Sequence, residues 1–236
     1  MNINFVNPKI SKDNLESFII RSEIFKAVSE ACSSFYGRVL DSGCGSMPYK
    51  QFILSNSKVT DYVGLDIASG LNYEDVKPDV LWDGSVMPFE DESFDVVIST
   101  EVLEHVPNPD SYLREVKRVL KPGGMFFFTV PFLMSLHEVP NDYYRYTPYA
   151  LEMIFKRNGF LTITIKPMGG YNAAMAQMLG LWVNMYLWGK KKKIMRVIAK
   201  PIINFLYKKD SAPLNFKKST MIVGLSGIVI KPIVKK

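Results

Sequence analysis

Scarcity is the first feature of this chain. Its 236 residues include only two cysteines, Cys32 and Cys44, and two histidines, His105 and His137. Two thiols cannot build a disulfide framework, and Cys44 sits in a glycine-rich turn where a bridge would be awkward. Both read as reduced thiols of a cytoplasmic protein. Met1 to Lys12 lack an apolar run of signal-peptide length. A membrane span needs about 20 apolar residues. The apolar stretch Ala173 to Trp188 is shorter and is interrupted by Gln177 and Asn184. A single crossing there would also leave the segments after it on the wrong side.

What is abundant is apolar surface. The chain is 47% hydrophobic and 13% aromatic, enough for a large core and against disorder. Its length suits one α/β domain with an insertion. The net charge of +6 is uneven: Gly189 to Lys218 hold ten Lys and Arg against one Asp, which leaves the remainder mildly acidic.

The stretch Arg38 to Tyr49, R-V-L-D-S-G-C-G-S-M-P-Y, organises the rest. Val39 and Leu40 end a buried strand, Asp41 closes it, and Gly43 and Gly45 turn the backbone without Cβ clashes. A helix over Tyr49 to Leu54 can follow. A strand, a glycine turn and a helix make a nucleotide-type site. The dinucleotide fingerprint is absent, because Pro48 stands where its third glycine would be. Further strands read as Tyr62 to Asp66, Val80 to Trp82, Phe94 to Thr100, Met125 to Val130, Phe160 to Lys166 and Thr220 to Ile230. Helices read as Asn14 to Tyr36 with Gly37 as its stop, Asp110 to Leu120, and Tyr149 to Asn158 behind a Thr147-Pro148 cap. Ile67 to Lys77 reads as holding little helix.

Taken in order, D-S-G-C-G, the acid ending Tyr62 to Asp66, Asp83-Gly84, E-V-L-E-H after the Phe94 strand and L-K-P-G-G before Met125 resemble class I S-adenosylmethionine-dependent methyltransferases. The likeness is to the small bacterial type with D-x-G-C-G, E-x-x-E-H and K-P-G-G, over residues 35 to 165. It implies a Rossmann-like seven-stranded α/β sheet with strand seven antiparallel between strands five and six, and helices on both faces. Residues 1–236 then form one domain, with an N-terminal helical segment over 1–36 and a basic, apolar helical insertion over 167–219. It also implies S-adenosyl-L-methionine as cofactor. Gly43, Cys44 and Gly45 would pass under its methionine and ribose. Asp41 would order that turn, Asp66 would take the ribose hydroxyls, Asp83 would face the adenine amino group, and Ile67, Gly84, Thr100 and Glu101 would line the same crevice. Met87-Pro88-Phe89 would add apolar surface near the ring.

Two readings of the acceptor side stay open. Pro131 to Pro148 is both polar and aromatic, and it leaves the carboxyl end of a strand, where ligands of open α/β sheets bind. His137, Asp142, Tyr143, Arg145 and Tyr146 are its candidate acceptor-binding residues, against the alternative of a lid that touches no substrate. His105 and His137 are the candidate catalytic bases. No metal is assigned, although Glu101, Glu104-His105 and His137 have a spacing that can converge on one cation. The same E-x-x-E-H pattern resembles metal-assisted methyltransferases of RNA ends and quinone precursors.

The insertion reads as an in-plane amphipathic helix pair with Lys190 to Lys193 at lipid headgroups, or as a cap or homodimer face. Pro201 is expected to kink or split its second helix. Nucleic acid is disfavoured, because no base-stacking platform accompanies the lysines. The expected activity is O-methylation of a sugar, a lipid-linked glycan or a quinone-like molecule near the inner membrane surface. The alternatives are a metal-assisted RNA methyltransferase and a non-catalytic cofactor-binding adaptor.

Overall fold

The computed structural model describes residues 5–68, 76–216 and 220–233. Strands β1 (Tyr36–Ser42), β2 (Lys58–Ile67), β3 (Val80–Trp82), β4 (Phe94–Thr100), β5 (Leu120–Pro131), β6 (Leu161–Met168) and β7 (Gly224–Ile230) form one sheet. Its order is β3-β2-β1-β4-β5-β7-β6. The β1–β2, β2–β3, β1–β4 and β4–β5 pairs are parallel, and β7 runs antiparallel to both β5 and β6. The order reverses between β1 and β4, so a crevice opens beyond the carboxyl ends of those two strands.

Alternation along β5 shows how the sheet is covered. Phe127 faces one core together with Ile19, Val28 and Phe35 of the N-terminal segment, while Phe126 and Phe128 face a second core with Leu113, Val116 and Phe155. A strand apolar at every step is what two covered faces require. The first core holds helices α1 (Phe18–Cys32), α2 (Lys50–Asn56), α5 (Tyr171–Leu181) and α6 (Gly189–Lys208); the second holds α3 (Pro109–Val119) and α4 (Pro148–Arg157). Asn108 and Thr147 cap α3 and α4, accepting the Ser111 and Ala150 amides at 3.1 and 3.2 Å, each with a proline next in line.

Two local expectations change. Helix α1 ends at Cys32, short of Gly37, because Phe35 turns inward to pack on Phe127 at 5.5 Å between ring centroids; Gly37 lies within β1. Helix α6 is not split at Pro201 but runs through it. The expected loop over Ile67 to Lys77 falls largely on residues 69–75, outside the described residues.

The insertion folds back onto the N-terminal segment. Gln177 donates to the Glu16 carbonyl at 2.9 Å, Tyr207 to Glu23 at 2.8 Å, and Arg196 pairs with Asp13 at 3.0 Å. Ala199 and Ile203 of α6 are fully buried, while Trp188 is 81% exposed and Ile194, Val197 and Phe205 of the helix are exposed. Among the described residues, no helix is long and apolar enough to cross a membrane.

Candidate active site

The crevice between β1 and β4 has two walls. On the first, Gly43 and Gly45 adopt φ of +75° and +51°, in the left-handed region that suits glycine. The amides of Gly43 and Cys44 both donate to the Leu65 carbonyl, at 2.8 and 3.1 Å, which ties the turn to β2. A Cβ at Gly43 would come within 2.4 Å of Val102, on the loop after β4. At Gly45 a Cβ would meet nothing, so bare main chain faces open space there. Asp66 anchors the turn: its carboxylate accepts the Gly45 amide at 2.7 Å and the Ile67 amide at 2.7 Å. A carboxylate has about four acceptor positions, and these two amides take two of them.

Asp41 is 3% exposed and accepts the Tyr62 hydroxyl at 2.6 Å. Burial pushes its carboxyl up to about 7, although the Tyr62 bond pulls the other way. Beneath the crevice the Tyr112 hydroxyl bridges Ser42 and Ser99 at 2.9 and 3.0 Å, joining the ends of β1 and β4. Tyr112 reads from sequence only as a core position of α3, so its polar role came from the fold. The Cys44 side chain is buried in the first core, and burial raises its thiol; what it offers a ligand is main chain.

The far end of this wall is more open. Ile67 and Val86 are exposed. Asp83 is exposed and accepts the Ser85 amide at 2.8 Å, which closes a local turn and lowers its pKa. Gly84 lies in that turn at φ +85°. Met87 is buried in the second core instead of offering surface to a ring.

The second wall follows β4 and β5. Glu101 comes directly after Thr100 at φ +56°, held by its amide to the Thr129 carbonyl at 3.0 Å. A 3-10 turn, Leu103–His105, comes next. The Glu104 side chain is fully buried, and neither of its oxygens has a hydrogen-bond partner; Glu101 Oε1 is likewise buried and unpartnered. Burial pushes the Glu101 and Glu104 carboxyls above the ordinary carboxylate range. The His105 and His137 rings meet edge to face, 4.7 Å between centroids. The structure thus brings together Glu104, His105 and His137, with ligand-type atoms within 4.8 Å of one another; Glu101 is not in that group.

Of the candidate acceptor residues, three are engaged within the protein. Tyr146 is 4% exposed and donates to the Leu103 carbonyl at 3.2 Å, which makes it a strut under the 3-10 turn. The Asp142 side chain is 2% exposed and forms a two-pronged pair with Arg145 at 2.5 and 2.7 Å, while Asp142 also accepts the His137 amide at 3.0 Å. The Arg145 bonds hold Asp142 well below the ordinary carboxylate range. This pair positions His137. Tyr143 is 47% exposed, and Leu136 and Val139 of the same loop are more exposed still.

A separate depression, of about 690 Å³, is lined by Asp110, Arg114, Lys117, Arg118, Arg157, Asn158 and Lys231. It lies toward the amino ends of β4 and β5, where Lys231 donates to the Leu120 carbonyl at 2.6 Å. Arg118 is already paired with Asp91 and Glu115, and Arg157 with Asp110.

A reversed parallel sheet with an antiparallel seventh strand, and a glycine turn braced by an acid at the end of β2, define the class I methyltransferase fold. Within it, residues 40–128 match the family described as the methyltransferase domain. A fatty-acid O-methyltransferase of Mycolicibacterium smegmatis is 34% identical over 99 residues, which are 39% of this chain and 36% of that protein. A ubiquinone biosynthesis O-methyltransferase of Paraburkholderia phymatum is 35% identical over 105 residues, 39% of this chain and 43% of that protein. The match therefore spans less than half the length of these curated relatives. Solved structures extend the likeness of fold over nearly the whole chain. A possible histamine N-methyltransferase of Thermotoga maritima aligns over 92% of this chain and 91% of its own at TM-score 0.57 and 14% identity. The cyclase SpnF aligns over 92% and 84% at TM-score 0.56 and 16% identity.

Proposed function

We propose that this chain transfers a methyl group from S-adenosylmethionine to an oxygen of a lipid-like or quinone-like acceptor. The observation that carries the cofactor is the turn itself. Gly45 presents bare main chain to open space, and the Asp66 carboxylate that braces it keeps two acceptor positions for vicinal hydroxyls. Exposed Ile67 and Val86 beyond it suit a flat base. Asp83, tied to Ser85, retains a second carboxylate oxygen for an amino group. The bound sulfonium supplies an activated methyl, so in-line positioning contributes most of the rate.

In this reading the acceptor lies against the second wall, with Tyr143 and the His105 and His137 rings around its oxygen. As the carbon–oxygen bond forms and the carbon–sulfur bond breaks, the acceptor's proton leaves toward this cluster. The O-methyltransferase names of the partial relatives support an oxygen acceptor. Calorimetric titration with S-adenosylhomocysteine tests the cofactor. We expect binding to the intact chain and a loss of at least about a hundredfold in Asp66→Ala, since each charge-assisted hydrogen bond contributes roughly 1.5–3 kcal/mol. Equal binding by the variant would end the proposal.

The insertion supports a second element, attachment to an anionic bilayer. Met185, Tyr186 and Trp188 are exposed beside Lys190 to Lys193, so aromatic and apolar side chains adjoin four cations. Each lysine near an anionic leaflet contributes about 1 kcal/mol. Co-sedimentation with phosphatidylserine vesicles should fall sharply when Lys190 to Lys193 become serine; unchanged pelleting removes the idea.

A further inference from the structure

We propose that the basic depression toward the amino ends of β4 and β5 binds the phosphate group of a small phosphorylated molecule. It lies at the opposite end of the sheet from the crevice, and its binding does not depend on the methyl-transfer reading.

Three elements far apart in the chain bring their cations here. Helix α3 supplies Arg114, Lys117 and Arg118, the end of α4 supplies Arg157, and Lys231 directly follows β7; Asp110 is the acid among the lining residues. Cations in the last turn of a helix, such as Lys117, Arg118 and Arg157, offset that helix's own dipole. Helix electrostatics give no such reason for Arg114, at the middle of α3, or for Lys231, beyond a strand. Their convergence on one hollow is a property of the tertiary fold.

The cations differ in how they are held. Arg118 is neutralised by Glu115 and Asp91 at 2.7 and 2.8 Å, and Arg157 by Asp110 at 2.6 Å. The others rest mainly on neutral oxygens. Arg114 donates to the Ser111 hydroxyl at 2.8 Å and Lys117 to the Asn158 carbonyl at 3.1 Å. Lys231 donates to the Leu120 carbonyl at 2.6 Å, with Glu92 further off at 3.4 Å. A neutral acceptor fixes a cation without cancelling its charge, and a guanidinium has five N–H donors and an ammonium three, so each head keeps donors to offer. The field is felt by Asp110, whose pKa is lowered by bonds from Asn158 and Arg157, with the charge of Arg114 adding to them. Positioned cations around a hollow of about 690 Å³ suit a phosphate group, the guanidinium by a forked contact and the lysines as point charges. The hollow is larger than one phosphate, so it has room for the rest of a small ligand. Among the described residues its lining holds no aromatic side chain on which a base could stack, which favours a sugar phosphate or an oligophosphate over a nucleotide.

The test is calorimetric titration of the full chain, at constant ionic strength, with inorganic phosphate, glucose 6-phosphate and tripolyphosphate. Saturable one-to-one binding is expected; tighter binding of glucose 6-phosphate than of phosphate assigns a phosphate ester, and tighter binding of tripolyphosphate assigns an oligophosphate. Arg114→Gln and Lys231→Gln should each weaken the better probe by at least about fivefold, with unchanged far-ultraviolet circular dichroism and unchanged affinity for S-adenosylhomocysteine. Asp110→Asn removes the acid from the lining and frees Arg157, so it should tighten the same probe by about threefold or more. That opposite sign distinguishes a binding site from general damage to the α3–α4 contact. Absence of saturable binding by all three probes, equal binding by a folded Arg114→Gln chain, or weaker binding by a folded Asp110→Asn chain overturns the site.

Discussion

The two walls of the crevice treat their acids differently. On the β1–β2 wall every carboxylate is already engaged: Asp66 by two main-chain amides, Asp41 by the Tyr62 hydroxyl. On the β4–β5 wall, both oxygens of buried Glu104 and one buried oxygen of half-buried Glu101 are without partners. The first wall is a finished cradle whose groups hold one another in place before any ligand arrives. The second keeps hydrogen-bonding capacity that the protein itself does not use. Pre-organisation lowers the cost of ordering on binding, whereas an unsatisfied buried acid reserves its binding capacity for a particular guest.

The largest effect that would sharpen this contrast concerns Asp41. Its folded pKa of about 7 lies above the unfolded value near 4, so the folded chain retains a proton that the unfolded chain has released. Stability contributed by that proton is present below about pH 4 and is lost as pH rises toward 7, then stays level. Each tenfold difference in proton affinity between the folded and unfolded chain is about 1.4 kcal/mol, so the wild type loses up to about 4 kcal/mol above neutrality. Asp41→Asn, free of ligand, should therefore be more stable than wild type at pH 8 by up to that amount, with little difference at pH 4, measured by urea unfolding. A variant no more stable at pH 8 would show that Asp41 is not held neutral by burial.

Next in size is Gly43→Ala. The left-handed φ and the 2.4 Å approach to Val102 should together cost about 2–3 kcal/mol. Adding Val102→Ala should return the steric part and leave the backbone part, as a double-mutant cycle by thermal unfolding would read out. Then comes the direct comparison of the walls. Asp66→Asn should lose about 2 kcal/mol, because an amide cannot accept both main-chain amides through two oxygens. Glu104→Gln in chelator-treated protein should stay within about 1 kcal/mol of wild type, since it breaks no existing bond. Equal losses would erase the distinction. The smallest effect is Tyr146→Phe, where one bond to the Leu103 carbonyl is worth about 1 kcal/mol.

Much of the scaffold was legible beforehand. Val80 to Trp82 and Phe94 to Thr100 were bounded to the residue, and β7 lies between β5 and β6 as its apolar run and the family likeness implied. Apolar runs ending in Gly or Asp, and caps such as Thr147-Pro148, are local signals, and local signals survive folding. The errors had non-local causes. Gly37 suggested a helix stop, but Phe35 was drawn into the core beside Phe127, 92 positions later in the chain. The partners of Tyr146 and Asp142, Leu103 and Arg145, are likewise visible only after packing.

The residue order by itself determined the strand–turn–helix at Arg38 to Tyr49, the acid at the end of β2, the apolar strands and the basic insertion, because each depends on neighbours within a few positions. Only the tertiary structure decided that His105 and His137 turn their Nε2 atoms toward one buried carboxylate, and that the insertion packs against α1. Those arrangements need chain segments separated by about thirty and by more than a hundred and fifty residues to meet. Distance in space after folding is information that no local pattern carries.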